Sequence, residues 1–234
     1  MRILAPPGVF RPHSDTWLLA EHLRGDPLTL DGHVLDLCCG SGALAVSALR
    51  AGAATATAVD LSRRAVMAAR VNGRLNGVRV RARRGDMLAA VPGERYDLIV
   101  SNPPYLPAPD GPSPERRARA WDAGPDGRLL LDRICAEAHA HLRPGGALLL
   151  VHSSVCDEGE TLRRLRWQGM EAEVADRRRG PLGPLLRARA AGLEASGLLE
   201  RGVREEDLVV IRAVSPAPGR AGSRLARSPV SSTP

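Results

Sequence analysis

With 234 residues, 44% of them hydrophobic, the chain is long enough for one α/β domain with a substantial core and short for two. The net charge of +7 would suit an acidic partner such as nucleic acid. However, all 33 basic residues are arginine, and the local runs Arg79 to Arg84, Arg116 to Arg119 and Arg177 to Arg179 each read as a solvated face. Cys38, Cys39, Cys135 and Cys156 show no CxxC spacing and the six histidines no ligand spacing, so neither a disulfide framework nor a metal site is expected. The chain shows no leader-like segment and no apolar stretch of membrane-spanning length, so a cytoplasmic protein without membrane association is expected.

From about residue 33, short apolar runs alternate with longer amphipathic segments, the pattern of a parallel sheet with helices on both faces. Residues 1–32 read as an N-terminal segment packing on the core, 33–214 as the main domain, and 215–234 as a disordered tail of Ser, Pro, Gly, Ala and Arg. Strands are predicted at Val34 to Cys38, Thr55 to Val59, Val78 to Ala82, Tyr96 to Ser101, Ala147 to His152, Met170 to Ala175 and Asp207 to Ala213. Seven strands with intervening helices near Ala43 to Arg50, Arg63 to Leu75, Arg128 to His141 and Asp157 to Trp167 give a Rossmann-like, mostly parallel sheet. Ser62 stands where an N-cap belongs, and Arg143-Pro144-Gly145-Gly146 is read as the stop between the long helix and the next strand.

Residues 102 to 127 carry seven prolines and form a long loop after the fourth strand, in which Trp121, Asp122 and Asp126 either close over a substrate or are simply solvated. Gly180 to Gly202 has helical spacing in part but is broken by Gly183, Pro184, Gly192 and Gly197, so an irregular helical insertion is expected there.

The first strand runs into Cys38-Cys39-Gly40-Ser41-Gly42 and then a helix. Glycines at 40 and 42 let the backbone turn tightly and approach a ligand. Asp60, at the end of the second strand, can accept hydrogen bonds from both hydroxyls of an adenosine ribose. These features also fit a nicotinamide dinucleotide. Asp36, inside an apolar strand, needs a partner, and the ammonium of a methionine moiety is a natural one. Gly85-Asp86-Met87 follows the third strand, and Asp86 either accepts from an adenine amino group or caps a turn.

Asn102-Pro103-Pro104-Tyr105 directly follows the fourth strand, where the ligand crevice of an open α/β sheet lies. Two prolines stiffen the backbone, an Asn oxygen beside an exposed carbonyl can accept both hydrogens of an NH2 group, and the aromatic ring can stack on the plane that carries it. Here the chain resembles class I S-adenosylmethionine-dependent methyltransferases, and among them the HemK/PrmC-type protein glutamine methyltransferases, over about Val9 to Ala213. Val9 to Leu19 is similar to the opening segment of the short branch that lacks a helical N-terminal domain.

The resemblance implies S-adenosylmethionine as cofactor, with Thr16, Asp36, Cys38, Gly40, Gly42, Asp60, Asp86, Met87 and Asn102 around it. Asn102, Pro103, Pro104 and Tyr105 would hold the acceptor. Cys38 stands where the family usually has glycine, so its side chain should crowd the cofactor or turn toward the sheet. The implied activity is N-methylation of a glutamine side chain in a protein such as a translation release factor, with a small activating partner subunit in some relatives. Adenine or guanine methylation in nucleic acid is the alternative that shares the tetrapeptide, but no separate target-recognition domain or run of stacking aromatics supports it. Small-molecule methylation, a non-catalytic cofactor-binding subunit and a nicotinamide oxidoreductase are the remaining readings.

Overall fold

In the computed structural model, helix α1 (Ser14–Gly25) precedes strand β1 (His33–Leu37), and strands and helices then alternate. They are α2 (Ala43–Arg50), β2 (Thr55–Asp60), α3 (Arg63–Leu75), β3 (Arg81–Arg84), β4 (Tyr96–Ser101), α4 (Leu129–Glu137), β5 (Leu142–Ser153), α5 (Glu158–Trp167), β6 (Glu171–Pro181), α6 (Pro184–Ala188), α7 (Ala190–Ala195) and β7 (Glu205–Val214). Residues 1–108 and 123–217 are described; Arg116 to Arg119, Trp121, Asp122 and the tail from 218 onward lie outside them.

The seven strands form one sheet in the order β3-β2-β1-β4-β5-β7-β6, a Rossmann-like α/β architecture. β1 pairs in parallel with both β2 and β4, so Leu35 lies between Thr57 and Ile99. β7 alone is reversed and runs antiparallel between β5 and β6. The chain winds outward from β1 in one direction and from β4 in the other. The carboxyl ends of these two strands therefore flank the switch point, where sheets of this kind open a ligand crevice.

Alternate residues of the central strands feed two apolar layers, which explains their near-continuous hydrophobic runs. On one face Val34, Leu98, Val100 and Leu149 pack with Leu18, Leu19 and Leu23 of α1 and with Leu44 and Val46 of α2. On the other, Leu35, Leu37, Ile99 and Leu148 meet Leu131, Ile134 and Leu165 of α4 and α5. Each fully buried leucine contributes about 1.5–3 kcal/mol relative to exposure. Residues 14–25 thus form a helix inside the first layer, where the sequence indicates only a segment packing on the core.

Several boundaries move for identifiable reasons. The third strand begins at Arg81 rather than Val78, because the Val78 amide closes the end of α3 by donating to the Gly73 carbonyl at 2.9 Å. Arg143 to Gly146 is a bulge within β5 rather than a stop before it: Tyr96 pairs with Leu142, and the next matched pair is Leu98 with Ala147. Gly146 is required there, since a Cβ would meet the Asp97 and Arg143 carbonyl oxygens at 2.9 Å. Helix α4 ends at Glu137 and passes into one 3-10 turn, Ala138–His141. Ser62 caps α3, accepting from the Ala65 amide at 3.4 Å. Asp126 accepts from the Arg128 amide at 3.0 Å and so helps set the start of α4.

Candidate active site

The chain leaves β1 through Cys38 and Gly40, both in the left-handed region at φ +57° and +51°. At Cys38 a glycine would hold that φ with less strain, and the cysteine side chain packs partly buried against the α4–α5 layer. Burial pushes its thiol up to about 12. Met87, at the corresponding end of β3, is also left-handed at φ +46°, so strained non-glycine backbone gathers at the carboxyl edge of the sheet. A Cβ on Gly42 would lie 2.6 Å from the Ala69 Cβ, so this glycine lets α2 start directly against α3.

Asp36 is fully buried. One carboxylate oxygen accepts from the Ala45 amide at 3.0 Å, while Oδ1 is buried without a partner among the described residues. Desolvation raises its pKa to about 8, with the Ala45 bond opposing and nearby Asp60 adding to the rise. Asp60 accepts from the Gly40 amide at 2.9 Å and from the Ser62 amide at 2.8 Å, which fixes its carboxylate beside the glycine turn; burial raises its pKa too. Asp86 forms a two-pronged pair with Arg133 of α4, at 3.0 and 3.1 Å. Asp36, with its orphaned oxygen, and Asp60 lie at the tight glycine turn and Asp86 stands beyond β3, carboxylates that suit a ligand carrying positive charge and hydroxyl groups.

Across the switch point, β4 delivers Asn102-Pro103-Pro104-Tyr105. The Asn102 side-chain nitrogen donates to Thr16 Oγ1 at 3.0 Å, and Oδ1 receives no donor among the described residues. The Tyr105 hydroxyl donates to Asp15 Oδ2 at 2.9 Å, while burial first and this carboxylate second hold its pKa well above the usual phenol value. The other Asp15 oxygen accepts from the Thr16 amide at 2.6 Å and from its hydroxyl at 3.3 Å. The first turn of α1 therefore grips both ends of the tetrapeptide. Its exit is fixed as well: the Tyr105 carbonyl accepts from Cys156 Sγ at 3.0 Å, and a Cβ on Gly127 would lie 2.4 Å from that same oxygen.

Beyond Tyr105, Leu106 enters a third apolar cluster with Leu182, Leu186, Ala190, Leu193 and Leu199. The segment between β6 and β7 is thus a small helical cap over the chain leaving the tetrapeptide, and Arg189 donates to the Pro107 carbonyl at 2.7 Å.

Residues 1–110 match the family described as Methyltransferase small domain. A Methanocaldococcus jannaschii protein, provisionally named protein N5-glutamine methyltransferase, is 33% identical over 181 residues, covering 77% of this chain and 90% of its own. This chain belongs to the N5-glutamine methyltransferase family. It is an enzyme of the S-adenosylmethionine-dependent methyltransferases, and S-adenosylmethionine is its cofactor. Another family member, a release factor glutamine methyltransferase of Bordetella pertussis, is 41% identical over 183 residues, spanning 74% of this chain and 66% of its own. The methyltransferase fold also superposes on the E. cuniculi Mtq2–Trm112 complex, which methylates the eRF1 termination factor, with a TM-score of 0.62, 24% identity and coverage of 89% and 99%.

Among the family residues named from sequence, Asp36, Cys38, Gly40 and Asp60 gather around the glycine turn, Asp86 and Met87 stand beyond β3, and Thr16 meets Asn102 directly. Two further residues act at the site. Asp15 has a visible signal in the sequence, an acid in the first turn of a helix. Arg133 has none, because nothing in the sequence brings α4 over Asp86.

Proposed function

We propose that this protein transfers a methyl group to the side-chain amide nitrogen of a glutamine in a protein, with a translation release factor as acceptor. The observation that carries the proposal is the orientation of Asn102: its amide nitrogen is tied to Thr16, and Oδ1 remains as a hydrogen-bond acceptor at the carboxyl end of β4. Asn102 Oδ1 and the Pro103 carbonyl then accept the two hydrogens of a planar NH2 group. Pro104 stiffens the loop, and the Tyr105 ring stacks on the amide plane. An amide nitrogen is a poor nucleophile because its lone pair is delocalised. The two oxygens align it and stabilise the positive charge that develops on it, with no strong base required.

The cofactor residues are assigned on the same footing. Asp36, with its orphaned oxygen, faces the methionine ammonium, Asp60 the ribose hydroxyls, and Asp86 and Met87 the adenine; Thr16, Cys38, Gly40, Gly42 and Asn102 line the space between. S-adenosylmethionine supplies an electrophilic methyl group on a sulfonium. Arg133 must share or release Asp86 if that carboxylate is to meet the adenine amino group. An N-terminal segment, 1–32, packs on the methyltransferase domain, 33–214, which a tail, 215–234, follows, and a small partner subunit of the kind in the E. cuniculi complex assists it.

One observation favours the nucleic-acid alternative: Arg70, Arg74, Arg79, Arg81 and Arg83 line a concavity of about 890 Å³ beside edge strand β3. Transfer of labelled methyl groups into a cell extract, separated into protein, nucleic acid and small molecules, decides between them. Label in a protein of release-factor mass, mapping to glutamine and absent with Asn102→Ala, is the expected result. Label confined to nucleic acid or small molecules overturns the acceptor assignment. Adding a candidate partner subunit should raise the rate, and a chain already fully active alone would remove the partner.

A further inference from the structure

We propose that Asp15 is a positioning residue that fixes which way round the Asn102 amide faces, acting through the Thr16 hydroxyl. A carboxylate has no proton to give, so Asp15 only accepts. At 3.3 Å from Thr16 Oγ1, it takes that hydroxyl's single proton. Oγ1 is then left with lone pairs alone and accepts from Asn102 at 3.0 Å, which requires the Asn102 nitrogen, and not its oxygen, to face Thr16. The direction of every bond in the chain Asn102 to Thr16 to Asp15 follows from the one group that cannot donate. The remaining Asp15 oxygen accepts from the Tyr105 hydroxyl at 2.9 Å, so the same carboxylate orients the hydrogen-bonding end and the aromatic end of the acceptor loop.

The inference rests on the acceptor reading above, and it explains something that reading assumes. An Asn amide can rotate by half a turn at little steric cost. Turned over, Asn102 would aim its own NH2 at the NH2 of the acceptor, donor against donor. Asp15 is buried, with 7% of its surface exposed, and lies in the first turn of α1, where the helix end favours a negative group. Water therefore does not readily substitute for it, and the relay is preorganised before the acceptor arrives.

Asp15→Asn is the informative change, because it keeps size and shape but leaves one oxygen for the three donors the carboxylate now serves, the Thr16 amide, the Thr16 hydroxyl and the Tyr105 hydroxyl, so the Thr16 hydroxyl loses its obligate acceptor. That frees the Thr16 proton to point at Asn102 and lets either amide orientation form. We expect kcat for the acceptor to fall roughly 10- to 100-fold, the range for a misaligned reacting group, with S-adenosylmethionine affinity within about twofold of wild type. Thr16→Val should reproduce the loss, Thr16→Ser should restore most of the rate, and Asp15→Asn combined with Thr16→Val should be no worse than Thr16→Val alone, since the two act as one unit. A rate retained in Asp15→Asn, or losses that multiply in the double variant, would overturn the relay.

A readout that needs no acceptor separates this idea from the function itself. In the NMR spectrum of the whole chain, the Asn102 side-chain NH2 signals, assigned by their loss in Asn102→Ala, should be protected from exchange in the wild type and lose protection in Asp15→Asn and Thr16→Val. Unchanged protection in Asp15→Asn refutes the relay whatever the acceptor proves to be. A wild type with the protected signal but no transfer to glutamine refutes the acceptor reading and leaves the relay standing. If Asp15→Asn does not fold, the Thr16→Val and Thr16→Ser pair carries the same comparison.

Discussion

Replacing Asp36 by Asn should stabilise the cofactor-free protein at high pH while weakening cofactor binding. Burial lifts this carboxyl from 3.8 to about 8. Between those values the folded protein holds a proton that the unfolded chain releases, so stability is full below about pH 4 and drains away as pH rises toward 8. At about 1.4 kcal/mol per pKa unit, the penalty reaches an upper bound of about 5 kcal/mol at pH 8. Asn keeps the shape and can still accept from the Ala45 amide, but it places an NH2 where Oδ1 has no partner, which costs about 1–3 kcal/mol. The net gain at pH 8 is then about 2–4 kcal/mol, or roughly 5 to 15 °C for a chain of this size. Near pH 4.5 the carboxyl penalty shrinks to about 1 kcal/mol and the gain should vanish or reverse. Thermal unfolding of both proteins from pH 4.5 to 8 without cofactor checks this, together with calorimetric titration of S-adenosylmethionine, whose affinity should drop at least roughly tenfold with the ammonium partner gone. A melting difference that does not vary with pH, or an Asn variant weaker than wild type at pH 8, would refute the argument.

Asn102→Ala should cut kcat by roughly 100-fold or more while cofactor affinity, measured by titration, changes little; equal losses in both would argue against an acceptor role. Gly42→Ala forces a Cβ to within 2.6 Å of Ala69 at φ +76° and should cost about 2–4 kcal/mol, seen as a melting point lower by roughly 5 to 15 °C. Leu193→Ala opens a cavity in the cap cluster and should cost about 2–5 kcal/mol locally. Its signature is a raised KM for the protein acceptor with unchanged cofactor affinity, and a matched loss of both would mean that the cap does not serve the acceptor side.

Much of this architecture is legible in the sequence because β1, β2, β4 and β5 are covered on both faces and so appear as uninterrupted apolar runs. β3 is harder to place: as an edge strand reading Arg-Ala-Arg-Arg it has one buried position, and its neighbours Val78 and Val80 belong to the end of α3 and the core rather than to the ladder. Arg143 to Gly146 looks like a stop because glycine and proline punctuate chains in general, and a bulge uses the same residues as a turn. Helix α1 is legible in Leu19 and Leu23 one turn apart, Asp15 at its start and His22 and Arg24 at its end, but its apolar stripe is short. The pairing of Asp86 with Arg133, and of Leu106 with Leu193, joins residues far apart in the chain, and no local pattern announces such meetings.

The placement of β7 also bears on the order in which the molecule can come into being. Glu205 to Val214 is made after every other strand, yet it lies between β5 and β6 rather than at a rim. A nascent chain that has reached Arg204 can already pair β1 through β5 and enclose the glycine turn. It cannot seat β6, and the cap over Leu106 has no second anchor. The glycine turn and the grip of α1 on Asn102 to Tyr105 are therefore in place early, while β6 and the cap beside Leu106 wait for β7 to slide into its slot, a long-range pairing of the kind that slows folding.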